Sequence, residues 1–203
     1  MLAAATCASV AAISGISAAS ASALQVKSCQ YNTLSTCKKA STSTTVTMKG
    51  EIHINSTSLH GTCMMETLGP VTDAESLNST DPITGEFSTV TFTECNLAPT
   101  SAQVPWSWST NASAFPSGTF SGVNITEEWA LGNYCVMAED ATHRLTFEWE
   151  NGYSIYKPHL QLYGQLARTS GALCETGGEI SGSLNVTAVK DPNNKLANNL
   201  RIE

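Results

Sequence analysis

Charge is scarce in this chain. Asp, Glu, Lys and Arg make up 13% of its 203 residues, about half the share usual in globular domains. The places are taken by 24 Ser and 25 Thr. Basic residues are nearly missing from the body: between Gly50 and Val189 three of them (Arg144, Lys157, Arg168) face fifteen acidic residues. That segment repels phosphate, which argues against nucleic-acid binding. No apolar run is long enough for a membrane-spanning helix. No stretch carries a 3.6-residue apolar stripe over three turns, which argues against a helical fold. CxxC is absent, and with it the signature of a thioredoxin-like site or a zinc ribbon. There is no HxH, HExxH or GxSxG, so metalloprotease and nucleophile-elbow chemistry lack their motifs. No cofactor motif is present, and no cofactor or metal is expected.

What the chain does have begins with a leader. Residues 1–23 are rich in Ala, Ser, Ile and Val, contain no charge and end in Ala21-Ser22-Ala23. They read as a secretory signal peptide cut after Ala23. Lys and Arg are missing near Met1, and the expectation is a translation start upstream of it. Cys7 lies in this leader without the Leu-small-small pattern of a lipoprotein cysteine. Six cysteines remain: Cys29, Cys37, Cys63, Cys95, Cys135 and Cys174. An even number behind a signal peptide points to disulfides in an oxidising compartment. Six cysteines allow fifteen connectivities, and nearest-neighbour pairing is expected: Cys29–Cys37, Cys63–Cys95 and Cys135–Cys174. The last two would close loops worth about 3–4 kcal/mol each in the chain-entropy model.

Short alternating runs start near Thr45. Val46 and Met48, Ile52 and Ile54, Trp106 and Trp108, and Leu145, Phe147 and Trp149 are each spaced by two, as half-buried strands require. Phe87, Val90, Phe92, Leu160, Leu162, Ile180, Leu184 and Val186 continue the pattern. Thr, which with Ser makes up about a quarter of the chain, suits a pleated surface. Glycine precedes an apolar residue at Gly50, Gly85, Gly118, Gly152 and Gly178, which reads as a turn glycine leading into a strand. Asn151-Gly152 is the strongest hairpin turn. The expected fold is all-β: an antiparallel β-barrel or β-sandwich of about eight to ten short strands, stapled by disulfides. The expected organisation is a leader at residues 1–23, a polar N-terminal arm with a short cysteine loop at 24–45, one β domain at 46–190 and a polar tail at 191–203.

From Gly61 to Val189 the chain resembles a group of small, uncharacterised secreted proteins of actinobacteria. The elements that carry the likeness are Gly61-Thr62-Cys63, Thr93-Glu94-Cys95, Pro105-Trp106, the Gly118-to-Gly122 strand, and Cys135 with Cys174. The resemblance implies a barrel-like secreted β domain and brings no activity with it.

Several residues invite a functional reading. Trp106 and Trp108 share a strand face with Val104: exposed, they form a platform for sugar rings, and buried, they are core. Glu148 and Glu150 share a face about 7 Å apart at the backbone, a spacing open to acid–base work in glycoside hydrolysis. Glu127-Glu128 offers a second carboxylate pair. Asp73, Glu75, Asn78, Asp81 and Glu86 could present oxygens to Ca²⁺ but lack the EF-hand spacing. His53, His60, His143 and His159 are dispersed. The expected function is that of a secreted or cell-surface β protein without enzymatic activity, acting through surface contacts. The alternatives are an extracellular binding module for an apolar small molecule or a carbohydrate and, behind it, a glycoside hydrolase.

Overall fold

A computed structural model describes residues 23–30, 33–56, 59–129, 132–152, 157–171 and 176–203. The leader expected over 1–23 lies outside these residues apart from Ala23, and Cys174 lies outside them too. The described chain is all-β, with no helix and only antiparallel strand pairs. In chain order the strands are β1 (Val26–Gln30), β2 (Thr33–Lys39), β3 (Thr45–Ser56), β4 (Leu59–Asp73) and β5 (Pro82–Phe87). There follow β6 (Thr89–Thr93), β7 (Thr100–Ala102), β8 (Trp106–Asn111), β9 (Ser117–Ser121) and β10 (Asn124–Glu128). The last are β11 (Tyr134–Ala138), β12 (Leu145–Glu150), β13 (His159–Gly171), β14 (Gly177–Lys190) and β15 (Asn199–Ile202).

Four long strands, β4, β3, β14 and β13, pair side by side and form the spine of a twelve-stranded sheet. Both outer members of the spine change partner along their length. Met64–Leu68 of β4 pair with β6, and Val71 and Asp73 pair with β5. His159–Gly164 of β13 pair with β12, and residues 167, 168, 170 and 171 pair with β11. The pairing therefore closes on itself twice. One circuit leaves the spine through β12, β9, β8 and β5, and the other through β11, β10, β7 and β6. Closure removes the unpaired edges that an open sheet would expose.

Alternation decides which side chains enter. In β12, Leu145, Phe147 and Trp149 are buried while Glu148 and Glu150 are exposed. The first circuit collects aromatics: Phe120 lies 5.0 Å from Phe147 and 5.8 Å from Phe87 between ring centroids, and Trp108 meets Phe147 edge-on at 6.4 Å. The second contributes Met65, Ile125, Met137 and Leu166, and all belong to one buried cluster. Buried aromatics of this size carry much of the apolar driving force.

The fifteen strands among the described residues exceed the expected eight to ten: the large sheet alone holds twelve, and the two ends add three. Residues 24–45, read as a polar arm, contain β1 and β2, and the tail 191–203 contains β15. These pair as a separate three-stranded sheet in the order β15-β1-β2. Val26, Leu200 and Ile202 join the core from it. The glycines also differ from expectation. Gly50, Gly85, Gly118 and Gly178 sit within β3, β5, β9 and β14, not at turns. They are glycines because a neighbour fills the side-chain volume: a Cβ would stand 2.1 Å from the Trp108 ring at Gly85 and 2.2 Å from the Phe147 ring at Gly118. Asn151-Gly152 is not a two-residue hairpin, since β12 ends at Glu150 and β13 starts at His159. Asn151 instead accepts from Trp149 Nε1 and from the Ile202 N–H, and donates to the Ile202 carbonyl.

Two disulfides have the expected partners, Cys29–Cys37 and Cys63–Cys95. The first joins β1 to β2, and the second joins β4 to the segment after β6. Cys135 is also disulfide-bonded.

Candidate functional site

The outward side chains of the spine form a broad polar face. Strand register sets them in rows. Across one row Thr62, His53, Ser181, Tyr163 and Thr146 stand side by side. In the row towards the β3–β4 connection the sequence is His60, Asn55, Glu179 and Gln165. Tyr163 is 44% exposed and is the one large aromatic of these rows. Alternation explains its position: Leu160 and Leu162 point inward on β13, so Gln161, Tyr163 and Gln165 point outward.

The second row runs into a cleft of about 370 Å³ lined by Asn55, Ser56, His60, His143, Gln165 and Glu179, among others. Asn55 Oδ1 lies 3.1 Å from His60 Nδ1. On the cleft's far lip, His143 Nδ1 lies 3.0 Å from Asp140 Oδ1. Asp140 also accepts the backbone N–H groups of Thr142 and His143, each at 2.7 Å. These two donors, with the His143 ring behind them, hold its carboxyl well below the usual carboxylate range. Asp140 thereby stays an acceptor and fixes the His143 ring at the lip. Ser56 borders the cleft with its Oγ buried, and Thr176 borders it as an exposed residue. The cleft thus offers amide, imidazole, hydroxyl and carboxylate groups, both donors and acceptors.

His60 and His143 border the cleft and His53 stands in the adjoining row, while the other residues singled out from sequence go elsewhere. Trp106 and Trp108 are 1% and 7% exposed. They are core residues, with Trp108 packed over Gly85 and Trp106 Nε1 donating to the Gln103 carbonyl at 2.9 Å, so they form no platform. Glu148 and Glu150 face solvent, and Glu150 sits 3.1 Å from His159 Nε2. Neither borders the cleft. The acidic loop is engaged within the protein: Glu75 pairs with Lys39, and Asn78 donates to Asp81 at 2.6 Å. Among the described residues no group of three or more His, Cys, Asp or Glu is placed to hold a metal. Inside the first circuit the rings of Phe87, Phe120 and Phe147 pack against one another.

Glu127 behaves differently from its neighbour Glu128. It faces inward on β10, 5% exposed, in register with Thr100 and Cys135. Burial pushes its carboxyl pKa up. A carboxyl whose pKa is raised by folding stabilises the fold when protonated. That contribution is present below the unfolded-state pKa and is lost as pH rises through the folded one. Glu127→Gln should therefore raise the Tm at pH 7 and leave it unchanged near pH 3, which thermal melts at the two pH values can check. An equal shift at both would show that ionisation is not the cause.

No family model, curated protein or solved structure matches the chain.

Proposed function

We propose that this protein is a secreted β domain without enzymatic activity that binds a carbohydrate on the outward face of its spine and in the adjoining cleft. Sugar rings present an apolar C–H face and a rim of hydroxyls. An exposed aromatic beside a few converging polar groups is the arrangement that suits such a ligand. The observation that carries the reading is Tyr163, half-exposed among Thr146, Ser181 and His53, one row from the cleft that holds Gln165, Glu179, Asn55 and His60. Two disulfides and the Ser/Thr-rich, charge-poor composition support an extracellular setting.

The test is isothermal titration of the full chain against neutral oligosaccharides of graded length. A binder should emerge, and Tyr163→Ala should weaken it about tenfold or more, as expected for the loss of an aromatic anchor. Tm should stay nearly unchanged, because Tyr163 is exposed and lies outside the buried cluster. Absence of binding to every oligosaccharide, or equal affinity in Tyr163→Ala, would remove the reading.

A further inference from the structure

The far end of the spine has a different character. β3 and β14 run from the carbohydrate cleft, at Asn55 and Glu179, to Thr45 and Lys190, and this span is roughly 30 Å at strand rise. At that far end the turn after β14 crosses β1 and β2. Buried polar groups pin it there. Asp191, 4% exposed, accepts from Ser28 Oγ and from the Asn193 N–H. Asn194, 5% exposed, donates through Nδ2 to the carbonyls of Ser28 and Thr36 at 2.9 and 3.2 Å. A turn held by this many buried hydrogen bonds keeps its shape.

Two clefts flank the pinned turn. One, of about 550 Å³, is bordered by Lys38, Lys195, Leu196 and Cys37. The other, of about 340 Å³, is bordered by Ser43, Thr45, Lys190 and Lys195. Pro192 and Lys195 border both. Most cations of the small sheet are neutralised: Lys39 pairs with Glu75, and Lys27 and Arg201 pair with Glu203. Lys38, Lys190 and Lys195 are exposed, and among the described residues none has a carboxylate partner. Lys38 Nζ donates to the Asn193 carbonyl at 3.1 Å, which holds it over the turn. The one acid at the turn, Asp191, also borders the smaller cleft, and its buried carboxylate is taken up by Ser28 Oγ and the Asn193 N–H. Three uncompensated lysines in two joined clefts stand out on a chain of formal charge −7.

We infer that these joined clefts grip a linear polyanion, a polymer carrying phosphate or carboxylate groups, which lies over the 191–195 turn and contacts Lys38, Lys195 and Lys190. The joined clefts favour a chain over a single ion, because one ion occupies one cleft and leaves a lysine unused. The inference does not depend on the carbohydrate reading. If both hold, the protein bridges two polymers from opposite ends of its spine.

The experiment is a titration of the full chain with long-chain inorganic polyphosphate and, separately, with polygalacturonate, monitored by backbone amide shifts. Orthophosphate, galacturonate monomer and anionic phosphatidylglycerol vesicles serve as comparisons. The inference expects shifts at Lys38, Lys190 and Lys195 with one or both polymers, and much weaker binding of the monomers. Binding of polyphosphate alone assigns phosphate as the recognised group, and binding of both assigns charge density. Each Lys→Gln change should weaken binding about fivefold, and the triple variant about a hundredfold. The slope of log affinity against log salt should fall by about one per lysine removed. Arg144→Gln, at the other end of the spine, should bind as the native chain does. Binding to vesicles but to neither polymer, shifts elsewhere on the surface, equal affinity for monomers, or full affinity in the folded triple variant would each overturn the inference. Should the triple variant fail to fold, the shift map on the native protein still decides.

Discussion

Replacing Phe147 by alanine should destabilise the domain by about 3–5 kcal/mol, the range for removing a fully buried aromatic. Phe147 is 1% exposed and touches Phe120 and Trp108. Its ring also occupies the space that a side chain at residue 118 would otherwise fill, which is why that residue is Gly. The hole left by the truncation is therefore lined on one side by bare backbone. Gly118 has no side chain to swing into it, so the loss should fall in the upper part of the range. Urea denaturation of the two proteins measures it. A loss below about 1 kcal/mol would mean that the rings do not pack as described.

Truncating both buried side chains of β15, Leu200→Ala with Ile202→Ala, should be more damaging still. Each is 1% exposed, and each such truncation destabilises by about 2–5 kcal/mol. Because β15 pairs only with β1, losing its apolar grip also releases the strand from the core. The ties left include the hydrogen bonds of Asn151 to Ile202, the ladder to β1 and the Lys27–Glu203 ion pair. A domain of this size has about 5–15 kcal/mol in total, so the double variant should be largely unfolded at 25 °C by circular dichroism. A Tm within a few degrees of the native value would show that the three-stranded sheet is an appendage and not part of the core.

The all-β class was legible because alternation is local. Trp106 and Trp108, or Phe147 and Trp149, declare a strand within six residues. The two disulfides were legible for a related reason: Cys29 with Cys37 and Cys63 with Cys95 join segments near in sequence. The terminal sheet was not. Lys27 meets Arg201 in register across most of the chain, and neither VKSCQ nor NLRI is long enough to announce a strand alone. The double closure was hidden as well, since it depends on β4 and β13 exchanging partners midway. Glycine misled because the same residue serves a turn, through its backbone freedom, and a crowded strand, through its missing side chain.

The candidate site shows the same limit. Alternation tells which residues share a face but not which face meets water. The exposed-platform reading of Trp106 and Trp108 depended on that choice, and the structure places both inside. The informative aromatic, Tyr163, lay on the other phase of a strand already recognised from Leu160 and Leu162. Reading LQLYGQL for its outward residues would have found it beside Gln161 and Gln165. His60 and Gln165 come together only through the pairing of four strands, which no local pattern encodes.

The most direct test of the binding account is a map of backbone amide shifts on the full chain, titrated with the neutral oligosaccharide that binds most tightly. The account predicts shifts concentrated at Asn55, His60, Tyr163, Gln165 and Glu179, with little change at Trp106, Trp108 or the Lys38–Lys195 end. Shifts confined to another face, or none with any oligosaccharide, would contradict it.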